Sequence, residues 1–412
     1  MAPPTVRPIR DDELADFISV VRVAMHGTPA PEPVIEARRE IWELDRCLAA
    51  YDATGAQCGS ARSFGTRMSV PGGSVPAAAV TAVGVLPTHR RQGHLNRLMR
   101  AQLGDTVERS EAVAILISAE YPIYGRYGYG PAIEACTMRL DATSTEFRQP
   151  PAGTIALVDG KTFHDALVDV YERAWRAHPG HITWDPPYFE MLAGLRDMDL
   201  GAEGQPWADA PKAVWRDAEG TISGVTSYTV SDEWVRNRPR GELRALTFVA
   251  ATDQAEGELY RYLASVDWVT SVQVGLRAVD DPLPLRLVDG RAAVLGDHSD
   301  HIWARILDVP AALGARCYGS EGSLTLEVVD PLGFAAGRFL LEGGPDGASC
   351  QRTDRPADLV VPVTALGAAY LGGTPWSRLA AAGWVDQARP GALDRATALF
   401  ATPRAPWCAT SF

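Results

Sequence analysis

The stretch VGVLPTHRRQGHLNRLM, residues 83–99, leaves few local folds open. It begins as an extended apolar run and ends helical, with Arg90 and Arg91 in a short turn closed by Gly93. A helix N-terminus carries unpaired backbone N–H groups and partial positive charge. A glycine there lets a ligand approach the backbone, and flanking arginines complete the shape of a phosphate cradle. Other phosphate motifs are lacking: neither GxxxxGK[ST] nor GxGxxG occurs.

Around this turn the chain reads as helix, antiparallel meander, helix and strand. Residues 11–26 repeat apolar positions at Leu14, Phe17, Ile18, Val21 and Met25, which predicts a surface helix. Three strand-like runs follow, punctuated by DATGA and VPGGS; then come a helix over 92–103 and a buried strand over 112–118. The aromatic-glycine turn YPIYGRYGYG leads to the run EACTMRLDA, expected to close a first domain at 1–150. Beyond the linker-like RQPPAGTIALVDG the pattern partly recurs, which predicts a second domain over 151–299. Where the first copy reads Thr88-His89-Arg90-Arg91-Gln92-Gly93, the second offers Thr252-Asp253-Gln254-Ala255-Glu256-Gly257. Two carboxylates there suit the helix dipole but repel a phosphate, so the second copy reads as scaffold. A third segment, 300–412, opens with IWARILDVPAAL, read as helical, and continues as strands and helices. The fold class is therefore α+β.

Composition narrows the function. The 412 residues carry a net charge of -12, which argues against nucleic acid as a partner. No apolar run is long enough to span a bilayer, so no membrane partner is expected. The N-terminus lacks the layout of a secretory signal, and the six cysteines are scattered without CxxC spacing; both point to a cytoplasmic protein with reduced thiols. The histidine pairs His178/His181 and His298/His301 lack Cys or HExxH context, so no metal is expected. Trp175, Trp184, Trp207 and Trp215 read as core and interface, with an acceptor pocket as the alternative.

The run VTAVGVLPTHRRQGHLNRLM resembles the acetyl-CoA-binding motif of the GNAT superfamily of N-acetyltransferases, matching Arg90 and Gly93 and departing from it at Leu95. With IYGRYGYGPA and a C-terminal Phe, the whole chain is similar to the enhanced intracellular survival (Eis) branch. That resemblance implies two tandem GNAT-type domains, the second degenerate, and a sterol-carrier-like α/β domain at the end. It also implies acetyl-CoA as co-substrate, a small-molecule primary amine as acceptor (aminoglycoside-type or lysine) and a homohexamer.

Acetyl transfer needs a grip on the cofactor, an oxyanion donor, a base and an acid. The resemblance assigns the grip to Arg91, Gln92, Gly93, His94, Leu95 and Asn96. It assigns pairing with the pantetheine arm to Val83, Gly84 and Val85, and further cofactor contacts to Ala119 and Glu120. Tyr124 becomes the proton donor, since a phenol stays protonated at neutral pH. The terminal carboxylate of Phe412 becomes the proton acceptor. Tyr121, Tyr127 and Tyr129 share the aromatic turn, and only the IYGR context selects Tyr124 among them. A non-catalytic acyl-CoA or lipid-binding protein is the alternative from a different class.

Overall fold

In the computed structural model, which describes residues 5–196 and 206–412, the opening stretch is strand, turn and helix. Strand β1 (Gln57–Val70) turns into β2 (Gly73–Val85), helix α1 (His94–Glu108) follows, and β3 (Val113–Ile117) returns parallel to β2. These lie in a seven-stranded sheet with the order Val6–Pro8, Cys47–Tyr51, β1, β2, β3, Ile302–Ile306, Gly130–Pro131. Helix α1 buries Met99 and Leu103 against Ala78, Val80, Ala114 and Leu116 on one face. The helix Leu14–Ala24 buries Phe17 and Ile18 in a separate cluster with Cys47 and Ala49; Asp11–Glu13 before it form only a 3-10 turn.

The chain separates into two units, residues 1–133 with 300–403 and 411–412, and residues 134–299 with 404–410. Two expectations change accordingly. The strand Glu134–Asp141, expected to close the first domain, pairs antiparallel with the strand Val269–Arg277, from Cys136↔Arg277 to Asp141↔Ser271. In the first sheet, β3 is flanked instead by Ile302–Ile306, antiparallel from Ile302↔Ile117 to Ile306↔Val113. The run 302–313 was expected to be helical. Its first five residues are a strand buried on both faces, and the helix begins at Val309 behind an Asp308 cap. A short continuous apolar run suits either element, and here partners decided it. The linker-like run 148–160 likewise contains an edge strand, Thr154–Leu157, paired with Lys212–Arg216.

The second unit repeats the strand–helix–strand theme. Strand β4 (Gly241–Ala250), helix α2 (Asp253–Ala264) and parallel β5 (Val269–Arg277) stand in a second seven-stranded sheet. A five-stranded sheet, with Gly322–Val329 at its centre, completes the first unit.

Two contacts among those that join this sheet to the first show how closely they pack. The helix Val363–Ala369 crosses the aromatic-glycine turn so closely that a Cβ at Gly130 would run into the Thr364 carbonyl. Only glycine fits there. Arg305, on the Ile302–Ile306 strand, forms a fully buried pair with Asp330 (Nη2 to Oδ2 2.6 Å). Burial pushes the Asp330 carboxyl up, but Arg305 and the amides of Ala335 and Leu332 outweigh it and leave it below its ordinary value.

Breaking a buried pair leaves an uncompensated charge, so Asp330→Asn should cost about 3–5 kcal/mol in urea unfolding at pH 7. Because the folded carboxyl is depressed, its contribution is full above the unfolded value near pH ~4 and fades as pH falls through the folded value. Thermal melts of the parent and Asp330→Asn should therefore converge on acidification.

Candidate active site

The site starts from a failure of pairing. Strands β2 and β3 are registered from Ala77↔Val113 to Val80↔Leu116, and then they part. β2 runs on to Val85 paired with β1. At the parting, Ala82 and Val83 together oppose Ala61, a β-bulge in which Ala82 takes φ +53°. The Ser60 hydroxyl donates to the Ala82 carbonyl at 2.8 Å and holds the kink. Past it, the Leu86 N–H reaches the Cys58 carbonyl on β1 at 2.9 Å. Strand alternation therefore turns the Val85 N–H the other way, into the gap.

The turn after β2 is built for an anion. Arg91 (φ +63°) and Gly93 (φ +80°) are both left-handed, and no side chain caps the first turn of α1. The first N–H groups of α1 are thus left for another partner. Arg91, Gln92, Gly93 and Asn96 are exposed. Arg90 folds back over the Val85 and Ala24 carbonyls, while Arg97 reaches the Gln92 carbonyl at 3.3 Å. His94 is buried and anchors the turn from below, 3.5 Å from the Cys58 sulfur. Burial, with Arg97 and His89 beside it, holds its imidazole below the ordinary value. The fit to a diphosphate is good: exposed amides, positive local charge, and a glycine where a Cβ would be strained.

After β3, Ala119 and Glu120 are exposed bends leading into the single turn Tyr121–Tyr124. The four tyrosines separate by environment. Tyr129 is fully buried, with its hydroxyl 3.4 Å from Gln102; Tyr127 is buried too. Tyr121 is exposed and packs edge-on against Trp303. Tyr124 is half-buried and, like Val83 and Leu95, packs against the cluster built around Met99, Leu103 and Tyr129. Burial pushes the Tyr124 phenol up to about 12, with Tyr127 and Glu120 adding to the shift.

Phe412 belongs to the same unit. Its ring meets Phe64 of β1 edge-on, 5.5 Å between centroids. Phe64 pairs with Ala79, whereas Ala78 and Val80 face α1. By alternation Phe412 lies on the sheet face opposite α1. The surroundings of that ring went unnoticed in the sequence: Arg62 sits 5.4 Å from the Phe64 ring and 4.6 Å from Trp42. The alternation Arg62-x-Phe64 on one strand was the available signal.

Trp175 and Trp215 are buried in the second unit, and Trp184 stacks on Tyr171 at 3.5 Å. His181 is buried and its imidazole is held down to about 3 by burial, with His178 and Arg277 contributing. His298 lies 3.5 Å from Glu134. Among the described residues, no cluster of three or more His, Cys, Asp and Glu side chains is placed to hold a metal ion, and no helix is long and apolar enough to cross a membrane.

Comparison with known proteins agrees with this geometry. Residues 5–132 and 180–306 each match an acetyltransferase (GNAT) domain family, and residues 309–409 match the sterol carrier protein domain family. An uncharacterized N-acetyltransferase of Streptomyces avermitilis is 40% identical over 99% of this chain and 98% of its own length. N-acetyltransferase Eis of Mycobacterium tuberculosis is 33% identical over 89% of each chain. The crystal structure of Eis1 from Mycobacterium abscessus superposes with a TM-score of 0.86 at 34% identity, covering 99% of this chain and all of the other. The chain is a member of the Eis family of GNAT N-acetyltransferases, with two GNAT domains and a C-terminal sterol-carrier-like domain.

Proposed function

We propose that the protein transfers acetyl from acetyl-CoA to a primary amine by direct attack on the thioester, across the gap between β2 and β3. The observation that supports this is that the two rings we read as acid and base bearers lie on opposite faces of one sheet. Tyr124 stands with Val83 and Leu95 on the α1 side, and the Phe412 ring lies on the other face. The thioester supplies an acyl carbon with a sulfur leaving group. The Arg91–Asn96 amides hold the diphosphate, and the Val85 N–H polarises the carbonyl. As the amine nitrogen bonds to that carbon, the Phe412 carboxylate takes the ammonium proton. Tyr124 gives its proton to the sulfur as the C–S bond breaks. The amide product and the thiol of coenzyme A balance the exchange.

The raised phenol is compatible with the acid role only in that Tyr124 carries its proton at neutral pH and has one to give. The lipid-binding alternative is disfavoured by what fills the sterol-carrier-like domain. Arg316 is fully buried there between the rings of Tyr318 and Phe400, and Trp376 packs edge-on against Phe400. Aminoglycoside-type or lysine amines are the acceptors we propose. The same reading makes the protein a cytoplasmic homohexamer in which the first GNAT domain is catalytic, the second degenerate and the sterol-carrier-like domain bears the terminus. Thiol release from acetyl-CoA across a panel of primary amines tests the activity, and light scattering tests the assembly.

Tyr124→Phe should lower kcat by about 10²–10⁴ with little change in acetyl-CoA KM, and parent-like turnover would remove the assignment. With the phenol near 12, Tyr124 keeps its proton through pH 10, so no descending limb below that pH should belong to it. One glycine appended after Phe412 should abolish turnover without lowering the melting temperature; an active extended protein would show the carboxylate idle. Gly93→Ala forces a left-handed backbone on a Cβ, a strain of about 1–2 kcal/mol. It should raise the acetyl-CoA KM about tenfold and leave kcat nearly unchanged.

A further inference from the structure

The second unit contains the same parting of strands, and something occupies it. β4 and β5 are registered from Gly241↔Val269 to Ala245↔Val274 and then separate, while β4 continues to Ala250 along the strand Ile222–Val230. In the first unit the helix beyond such a gap is uncapped; here Thr252 caps α2 by accepting the Ala255 N–H at 3.1 Å. Arg277, at the end of β5, is fully buried. It pairs with Glu256 in the first turn of α2 and with Asp281 (Nε to Oδ2 2.7 Å). Its guanidinium lies 5.0 Å from the Phe248 ring of β4 and 4.4 Å from the ring of Trp407.

Trp407 comes from the end of the chain, and its neighbours follow the same course. Arg404 reaches Asp253 at 3.4 Å, and the Ala405 N–H donates to Asp280 at 2.9 Å. The Trp407 backbone N–H donates to the Pro179 carbonyl at 2.8 Å, and its indole N–H donates to the Leu276 carbonyl beside Arg277. His181 packs edge-on against the indole at 4.6 Å. Thr410 accepts the Trp184 indole N–H at 2.6 Å. Trp407, Cys408 and Thr410 are all buried. Ser411 and Phe412 come next in the sequence.

We infer that the second cleft has been given over to the chain's own residues 404–410, with Trp407 as the side chain that fills it beside the paired Arg277, so that no second coenzyme A is taken up there.

The test uses the full-length protein and Trp407→Ala, with Trp407→Phe as the conservative control. Backbone amides of residues 404–410 should exchange about tenfold faster in Trp407→Ala than in the parent, and Trp407→Phe should recover most of that protection. Calorimetry of the parent with coenzyme A should give one site per chain. Parent-like exchange in Trp407→Ala, or two coenzyme A sites per chain, would overturn the inference. If Trp407→Ala fails to fold, the double variant Asp280→Ala/Arg404→Ala removes only partly exposed contacts of the segment and should speed exchange in the same direction; no change overturns the inference. Loss of the proposed acetyl transfer would leave the exchange result standing, so the two readings fail separately.

Discussion

Two neighbouring parallel strands that stop pairing leave backbone N–H and C=O groups facing a gap, and such groups must be satisfied by something. That constraint organises both units. In the first, β2 and β3 part after Val80 and Leu116, and the gap is followed by an uncapped helix start with left-handed Arg91 and Gly93. In the second, β4 and β5 part after Ala245 and Val274, and the helix start is capped by Thr252 while Glu256 binds Arg277. One geometry thus meets two chemistries: a turn ready for an anion, and a turn already neutralised from within.

The gap works only if the sheet around it stays rigid, and much of that rigidity comes from distant sequence. Ile302–Ile306 braces β3 along its full length. Its Arg305 is locked to Asp330, and the helix Val363–Ala369 presses on Gly130 at the end of the turn that carries Tyr124. The sterol-carrier-like domain is therefore part of the scaffold of the first sheet, quite apart from supplying the last residue. Inside it, Arg316 is buried against the rings of Tyr318 and Phe400.

Charge is used locally and against the overall balance. A chain of net charge -12 concentrates Arg90, Arg91 and Arg97 at one helix start, and sets Arg62 over Phe64 and Trp42 beside the C-terminal ring. At Tyr124 the dominant effect is burial, which strengthens the phenol's hold on its proton. A half-buried phenol needs no neighbouring charge to keep its proton at neutral pH.

Residues 83–99 by themselves determined a strand, a basic turn and a helix, because apolar spacing, a glycine and paired arginines are local signals that few folds can override. The contrast between Arg90-Arg91-Gln92-Gly93 and Asp253-Gln254-Ala255-Glu256 was legible for the same reason, as was the family resemblance carried by the IYGRYGYGPA turn and the final phenylalanine. Tertiary structure alone decided which sheet receives Glu134–Asp141 and which receives Ile302–Ile306. Both are short, largely buried strands, and pairing between residues so far apart in the chain leaves no mark on local periodicity. It also decided which of four adjacent tyrosines is half-buried with Val83 and Leu95, and where the tail runs. Those outcomes depend on burial and on long-range hydrogen bonds, which exist only once the chain has closed on itself.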